Sequence, residues 1–254
     1  MLPRFFVGAL PGALPDHELQ LPDGAARHVQ VLRMQPGQCI QVFDGAGQEW
    51  VAEIGEMGRK HVAVRLQSAV PNHRELPVRI TLAVGMPAND RMDTVIEKAT
   101  ELGAYAIQPL MCQRSVLRLD GDRANKKVAH WQGVAVAASE QCGRAVVPVV
   151  HPVQSLNTWL RSEAASSAQF DHRAVLSLRE ARSIRSVLQA ATATDSTQAV
   201  RWVFLNGPEG GLNEEEEASA LQAGWQAVTL GARTLRADTA PLAALSVMAA
   251  HYEG

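Results

Sequence analysis

The sequence predicts an α/β protein with two parts, a small N-terminal β structure and a larger, mostly parallel sheet covered by helices. Residues 38–67 contain short apolar runs separated by turn residues, whereas from residue 78 onwards strand-like and helix-like segments alternate. The chain has 254 residues, of which 46% are hydrophobic, so it is long enough for two cores and is not disordered. Its net charge of -2 excludes a uniformly basic nucleic-acid wrapper but leaves room for a local basic face.

The N-terminal part is predicted to hold one short helix and several strands. Residues 25–34 carry apolar side chains at helical spacing, and residues 38–67 contain three apolar runs, the first ending in the turn signal Asp44-Gly45. The polar segment 70–77, bounded by prolines, is interpreted as a linker. We therefore place the first domain at 1–72 and the second at 76–254.

The C-terminal part alternates between strands and helices. One helix is defined by a stripe of apolar side chains between Asn89, a potential cap, and Gly103, which ends it. Such alternation predicts a parallel sheet, in which ligands bind at the carboxyl ends of the strands. The predicted strands are 78–84, 106–110, 173–178, 200–205 and 227–230, and the predicted helices are 89–102, 126–141, 182–191, 214–222 and 243–251.

The cysteines, histidines and apolar runs narrow the class of protein. Cys39, Cys112 and Cys142 are odd in number and widely spaced, and the eight histidines form no ligand-spaced pair, so we expect neither disulfides nor a metal. No apolar run approaches the roughly 20 residues that a membrane span needs. We expect a cytoplasmic protein with reduced thiols and no membrane partner.

Residues 203–213 have the pattern of a strand, a glycine loop and a helix start, and four glutamates follow. Asn213 and Glu216 match a capping box, so a structural turn before a capped helix is one interpretation. Glycines also let a backbone approach a ligand closely. Phosphate-binding motifs are absent, and Glu209 would repel a pyrophosphate. A cofactor that carries an ammonium and a sulfonium, such as S-adenosylmethionine, suits these charges better.

Residues 230–241 form a second strand end, loop and helix start. The loop contains Arg233 and Arg236, and Asp238 or Thr239 is the predicted helix cap. Two arginines at a strand end are a candidate binding site for an anion or for RNA. An ion pair of Arg236 with Asp238 or Glu209 is the structural alternative.

Basic residues outnumber acidic ones only in the middle of the chain. Residues 76–150 carry nine basic and seven acidic side chains, whereas residues 151–254 carry eight and eleven. If RNA is the partner, we expect its phosphates here; a solvated face is the alternative. The cations concerned are Arg114, Arg118, Arg123, Lys126, Lys127 and Arg144.

Taken together, these segments resemble the RsmE family of 16S rRNA (uracil-N3)-methyltransferases of the SPOUT class. The resemblance runs nearly end to end, with several motifs in the same order. They are Arg27-His28-Val29, Phe43-Asp44-Gly45, residues 97–103, Arg114-Ser115, Glu140-Gln141, Gly207-Pro208-Glu209-Gly210-Gly211 and Leu230-Gly231-x-Arg233-x-Leu235-Arg236.

This resemblance implies a PUA-like N-terminal β-barrel that holds RNA and a SPOUT α/β domain tied in a trefoil knot. It also implies a homodimer that uses S-adenosylmethionine to methylate N3 of a uridine in 16S rRNA, within the small ribosomal subunit. The strand end at residues 176–178 is our own addition to the cofactor site. The expected cofactor-binding residues are Leu178, Leu205, Gly207, Glu209, Gly210, Gly211, Leu230, Gly231, Arg233, Thr234 and Leu235.

Methylation at N3 requires loss of a proton and stabilisation of the resulting imide anion. Arg236 and Arg114 are the candidates for stabilising that anion or the flanking phosphate, and Glu209 and Asp238 for accepting the proton or orienting the arginines. Asp238 stands where the family usually has Glu, which shortens its reach. The alternative function is a non-catalytic RNA-binding ribosome-assembly factor, against which the two glycine loops argue.

Overall fold

The computed structural model describes residues 2–10, 12–59, 61–88, 91–191 and 199–253. The chain divides into two compact units. The first comprises Met1–Glu75 and Val136–Val147, and the second comprises Leu76–Ala135 and Pro148–Gly254.

The first unit is a five-stranded sheet with one helix. The strands follow the order β1-β3-β4-β5-β2, and every ladder is antiparallel except that of β1 with β3. No ladder among the described residues joins β1 to β2. The elements are β1 (Arg4–Phe6), β2 (Glu18–Gln20), α1 (Asp23–Val31), β3 (Cys39–Phe43), β4 (Glu49–Met57) and β5 (Val62–Ala69).

The helix and the three strands predicted between residues 25 and 67 are present, although α1 begins and ends earlier than expected. The two edge strands were not predicted, because three residues are too few to show an alternating pattern. Residues 70–78 contain neither helix nor strand, as the linker interpretation requires. Apolar side chains from the helix and four strands share one core, which includes Phe5, Val29, Ile40, Ile54, Val64 and Leu66.

Buried ion pairs hold this unit together. Arg4, only 8% exposed, donates Nε to Glu49 Oε1 at 2.8 Å and Nη1 to the carbonyl of Ser139 at 2.7 Å. Arg144, 4% exposed, pairs with Glu75 at 2.7 Å. Because charges removed from water are destabilising unless paired, these contacts are structural. The expectation that Arg144 contacts RNA phosphates is therefore wrong.

The second unit contains the other strands and helices; the last residues of α3 are counted with the first unit. Its elements are β6 (Arg79–Gly85), α2 (Arg91–Glu101), β7 (Ala106–Met111), α3 (Gly121–Cys142), β8 (Val149–Val150), β9 (Gln154–Ser155), α4 (Leu156–Leu160), a 3-10 turn (Glu163–Ala165), β10 (His172–Leu176), β11 (Arg182–Ser183), α5 (Ile184–Ala191), β12 (Arg201–Asn206), α6 (Glu214–Gln222), β13 (Gln226–Thr229) and α7 (Thr239–Glu253).

The predicted parallel sheet is confirmed. Its strands follow the order β11-β13-β10-β12-β6-β7-β8, with β9 also paired to β7, and all these ladders are parallel. Five consecutive residues of β12 are buried, as expected for a strand covered on both faces. The order places β10 between β12 and β13, so the carboxyl ends of these three strands are neighbours.

Several boundaries differ from the predictions. Helices α3 and α7 begin five and four residues earlier than predicted, at Gly121 and Thr239. Residues 182–183 form a strand and not the first turn of α5, and β10 ends at Leu176, two residues early. The short helix α4 was not predicted, because five residues show no helical period. The proposed cap Asn89 lies outside the described residues.

Candidate active site

A cavity of about 350 Å³ lies at the carboxyl ends of β10, β12 and β13. Its walls come from three segments, residues 176–179, 206–212 and 228–237, each of which begins at or near the end of a strand. We call it the strand-end cavity; its position is the one expected for a ligand in a parallel sheet. The predicted residues that line it are Leu178, Gly207, Glu209, Gly210, Gly211, Leu230, Gly231, Arg233, Thr234 and Leu235.

One predicted cofactor-binding residue is elsewhere. Leu205 is fully buried and belongs to the apolar core of the second unit, whereas the next residue, Asn206, lines the cavity. The sequence feature that could have identified Asn206 is a polar side chain at the end of a strand whose four preceding residues are apolar. The strand end at residues 176–178, which was predicted, also lines the cavity, and lining residues that the sequence did not identify include Arg179, Leu212, Glu217, Thr229 and Ala237.

The 207–211 loop folds back tightly on itself. The amide of Gly211 donates to the carbonyl of Pro208 at 2.8 Å, which closes a turn. A Cβ atom on Gly207 would lie 2.5 Å from the backbone nitrogen of Leu212, closer than real Cβ contacts allow. Only glycine therefore fits at this position, and the loop backbone itself forms the wall of the cavity.

The capping box predicted after this loop is confirmed. Asn213 Oδ1 accepts from the amide of Glu216 at 2.7 Å, and Glu216 Oε2 accepts from the amide of Asn213 at 3.0 Å. Glu216 is only 4% exposed, and its other oxygen accepts from the amide of Gln113 at 2.7 Å. This carboxylate thus fixes the start of α6 against the segment that follows β7.

Glu209 lines the cavity but has a partner that the sequence did not indicate. One carboxylate oxygen accepts from the amide of Ala88 at 2.9 Å and from Arg91 Nη1 at 3.4 Å. The alternative in which Glu209 pairs with Arg236 is not observed. About a third of the Glu209 side chain is exposed, so the carboxylate is still reachable by a ligand.

Arg114 is not a lining residue of the cavity, but it forms hydrogen bonds with the 207–211 loop. Its Nη1 donates to the carbonyl of Gly210 at 2.8 Å and to that of Leu212 at 3.4 Å. The aliphatic part of its side chain packs beside Gly210, where a Cβ would lie 3.0 Å from Arg114 Cβ. Its first role in this geometry is therefore to position the loop.

Arg236 is exposed and has no hydrogen bond or ion pair from its guanidinium to any residue that the structure describes. It lies between Leu235 and Ala237, which both line the cavity. Its carbonyl accepts from the amides of Thr239 and Ala240 at 3.0 and 2.9 Å, so its backbone is fixed to the start of α7. Arg236 itself is not a lining residue, so the structure places a free guanidinium on a fixed backbone between two residues that line the cavity.

The cavity combines an apolar surface with charges of both signs, since Arg233 lines it together with two carboxylates. Leucine and valine side chains from all three segments supply the apolar part. Glu209 and Glu217 supply carboxylates, and Ser177 Oγ donates a hydrogen bond to Glu217. Arg179 also lines the cavity, but Glu214 pairs with it at 3.1 Å. A flat apolar ligand that carries positive charge fits these walls better than a polyphosphate does.

Cys112 follows β7 and is buried. Burial raises the pKa of Cys112 to about 12, with the nearby Glu216 carboxylate adding to the effect. The thiol is therefore protonated at neutral pH and is a poor nucleophile. All three cysteines are free.

Two features are absent from the described residues, a metal-binding cluster and a membrane-spanning helix. No group of three or more His, Cys, Asp or Glu side chains there is placed to hold a metal ion. No helix in the same ranges is long and apolar enough to cross a membrane.

Two family models match the chain. An RNA methyltransferase domain matches residues 74–249, and an RNA methyltransferase PUA domain matches residues 21–67. The chain is 32% identical over 224 residues to the ribosomal RNA small subunit methyltransferase E of Synechocystis, an alignment that covers 88% of this chain and 70% of that protein. It is 32% identical over 225 residues to the Bacillus subtilis protein of the same name, covering 89% and 86%.

Two solved structures share the whole fold. The ribosomal RNA small subunit methyltransferase E of Neisseria gonorrhoeae, bound to S-adenosyl methionine, has a TM-score of 0.84 at 34% identity and covers 99% of this chain and 98% of its own. A methyltransferase from Legionella pneumophila in complex with the cofactor SAM has a TM-score of 0.86 at 30% identity, with the same coverage. These matches confirm the resemblance and the predicted PUA-like and α/β parts. The chain belongs to the RNA methyltransferase family, within its ribosomal RNA small subunit methyltransferase E group.

Proposed function

We propose that this protein methylates N3 of a uridine in 16S rRNA of the small ribosomal subunit, with S-adenosylmethionine bound in the strand-end cavity. The observation that carries the proposal is the cavity itself. Both family loops meet there, and Arg236 stands unpaired at its edge. The solved relatives that bind S-adenosylmethionine support the choice of cofactor.

The walls of the cavity suit each part of this cofactor. The leucine and valine side chains offer an apolar surface for the adenine ring, and the glycine loops allow close approach of backbone groups. Glu209 and Glu217 offer negative charge to the ammonium and the sulfonium, and Arg233 offers a cation to the carboxylate.

When bound, the cofactor supplies an electrophilic methyl group. The chain must hold the uracil ring in line with it and manage the proton that N3 carries at neutral pH. Arg236 is free to donate to the uracil oxygen on which negative charge develops as that proton leaves. Glu209, reachable at the cavity, is the candidate acceptor, and Arg114 positions the loop from which Glu209 projects.

A basic patch of Arg123, Lys126 and Lys127 on α3 is the proposed contact for RNA phosphates. Arg123 and Lys126 are exposed, and none of the three has a hydrogen bond or ion pair with a carboxylate of the described residues. The neighbouring His130 instead pairs with Asp93 at 2.6 Å. Unpaired cations on one helix face suit phosphate contacts that neutralise charge and release counterions. Arg118 donates to the carbonyl of Gln113 and is partly engaged.

The remaining parts of the proposal rest on the family resemblance. The PUA-like domain, 1–72, is assigned RNA binding, and the SPOUT domain, 76–254, is assigned catalysis, with its chain tied in a trefoil knot. The protein is proposed to act in the cytoplasm, where its substrate is assembled.

Isothermal titration with S-adenosylmethionine, followed by methyl transfer to small-subunit rRNA, tests the function. We expect saturable binding, and mass spectrometry of the digested RNA should show a methylated uridine. Comparison of its retention time and fragmentation with those of a 3-methyluridine standard should place the added methyl group on N3 of the uracil. RNA binding without cofactor binding would instead favour the ribosome-assembly factor.

We also propose a homodimer in which each active site is completed by the partner subunit's basic segment. The motivation is the separation of charge, because residues 76–150 lean basic while the cavity loops lie in the acidic final third. Light scattering at micromolar concentration is expected to give twice the monomer mass of 27.4 kDa. A mass near that of one chain would overturn this part alone.

A further inference from the structure

Asn206, the last residue of β12, connects two walls of the strand-end cavity. It is 3% exposed, and its Nδ2 donates to the carbonyl of Gly207 at 3.1 Å and to the carbonyl of Ala237 at 3.2 Å. The two acceptors belong to different loops, 207–211 and 230–237. One side chain therefore links both loops to the end of a central strand.

The orientation of this amide is fixed by its partners. Turning it over would place Oδ1 against two carbonyl oxygens, which only accept hydrogen bonds. In the observed orientation Oδ1 is buried and has no hydrogen-bond partner among the described residues. A buried acceptor without a partner lowers stability. An apolar residue here would remove the unpartnered oxygen but would also leave the carbonyls of Gly207 and Ala237 without this donor.

The same bond reaches the backbone beside Arg236. Ala237 directly follows this arginine, and the Arg236 carbonyl already accepts two amides at the start of α7. The bond from Asn206 to Ala237 thus fixes residues 236–240 relative to β12. The Asn206 side chain thus links the backbone that carries Arg236 to the 207–211 loop.

We infer that Asn206 is a positioning residue, which sets the separation of the two cavity loops and the placement of Arg236. The inference rests on the proposed function for its consequence, since the loops hold the cofactor and Arg236 contacts the base. Asn206 does not itself touch the reacting atoms. Its side chain holds the two loops in a preorganised arrangement although its own buried oxygen has no hydrogen-bond partner.

The test is Asn206→Leu, which keeps the size of the side chain and removes both the bridge and the unpartnered oxygen. We expect the melting temperature of the ligand-free protein to change by no more than about 5 °C, because removal of the unpartnered oxygen offsets part of the loss of two donated hydrogen bonds. The dissociation constant for S-adenosylmethionine is expected to rise about tenfold. We also expect kcat, measured with saturating cofactor, to fall below the wild-type value. Hydrogen exchange in the ligand-free protein should quicken at residues 207–211 and 230–240. Asn206→Asp, which keeps the shape without the donor, should show the same exchange pattern.

Gln108 provides a matched control. It is 3% exposed, its Nε2 donates to the carbonyls of Pro109 and Pro152 at 3.0 and 2.9 Å, and it does not line the strand-end cavity. Gln108→Leu should leave cofactor affinity and loop exchange unchanged. Wild-type affinity and exchange in Asn206→Leu would overturn the inference. If the wild-type protein binds no S-adenosylmethionine, the proposed function fails, while the exchange measurement still decides whether Asn206 holds the loops.

Discussion

Replacing Arg236 with alanine is expected to lower turnover by about a hundredfold or more, the loss seen when one donor to a developing anion is removed. The guanidinium is exposed and free of partners among the described residues, so it is available to the uracil oxygen. Its interaction strengthens as charge develops on the base, so cofactor affinity should change much less. Single-turnover methylation of small-subunit rRNA and isothermal titration measure the two effects separately.

Arg185→Ala is the matched control for this variant. Arg185 is exposed on α5 in the same unit and is not a lining residue of the strand-end cavity, so its loss changes the net charge equally. Turnover should stay near the wild-type rate. If Arg236→Ala also methylates at that rate, the arginine has no part in the mechanism, and Arg114 becomes the candidate despite its bonds to the loop carbonyls.

The pH dependence follows from the same chemistry. Turnover of the wild-type enzyme should rise with pH through the neutral range and then level off, because the N3 proton must leave before or during transfer. Removing Arg236 withdraws stabilisation from the anion, so the rise should shift to higher pH. A flat profile in both proteins would mean that a step other than proton loss limits the rate.

The signals that predicted the site are local in sequence. The glycine loop and the capping box of Asn213 and Glu216 each lie within about a dozen residues and were found where expected, whereas the helix after Arg236 begins four residues earlier than predicted. The alternation of strands and helices was enough to predict a parallel sheet. In such a sheet ligands bind at the carboxyl ends of the strands, and the cavity lies there. Local pattern and general geometry therefore indicated where the cavity lies, and the family resemblance supplied most of the predicted residues that line it.

The contacts that the sequence did not predict join residues far apart. Glu209 and Arg91 are separated by 118 positions, and Arg144 and Glu75 by 69. A charged residue looks the same in a sequence whether it faces RNA or a buried carboxylate, so Arg144 was assigned to the wrong partner. The alternation of side chains along a strand explains why Leu205 was wrongly assigned to the cofactor site. Residues 205 and 206 point to opposite faces, and only Asn206 lines the cavity.

A single methyl group added at Gly207 is expected to weaken cofactor binding by about a hundredfold or more, which corresponds to about 2.8 kcal/mol. The new Cβ would lie 2.5 Å from the nitrogen of Leu212 and 2.6 Å from the carbonyl carbon of Gly211. Both are backbone atoms of the cavity wall, so the loop must open to accept Gly207→Ala. Isothermal titration gives the affinity, and circular dichroism shows whether the rest of the fold persists.

Valine at Gly210 or at Gly231 should abolish binding, for a different reason at each position. At Gly210 the new side chain meets Arg114, whose Cβ would lie 3.0 Å away, so the brace on the loop is displaced. At Gly231 the backbone φ of 119° is one that a branched side chain rarely adopts, so the second loop must rearrange. Gly133→Ala is the control, because a Cβ on that α3 residue meets no described atom within 4 Å and alanine favours a helix. Retained affinity in all three loop variants, with unchanged circular dichroism, would place the cofactor outside the strand-end cavity.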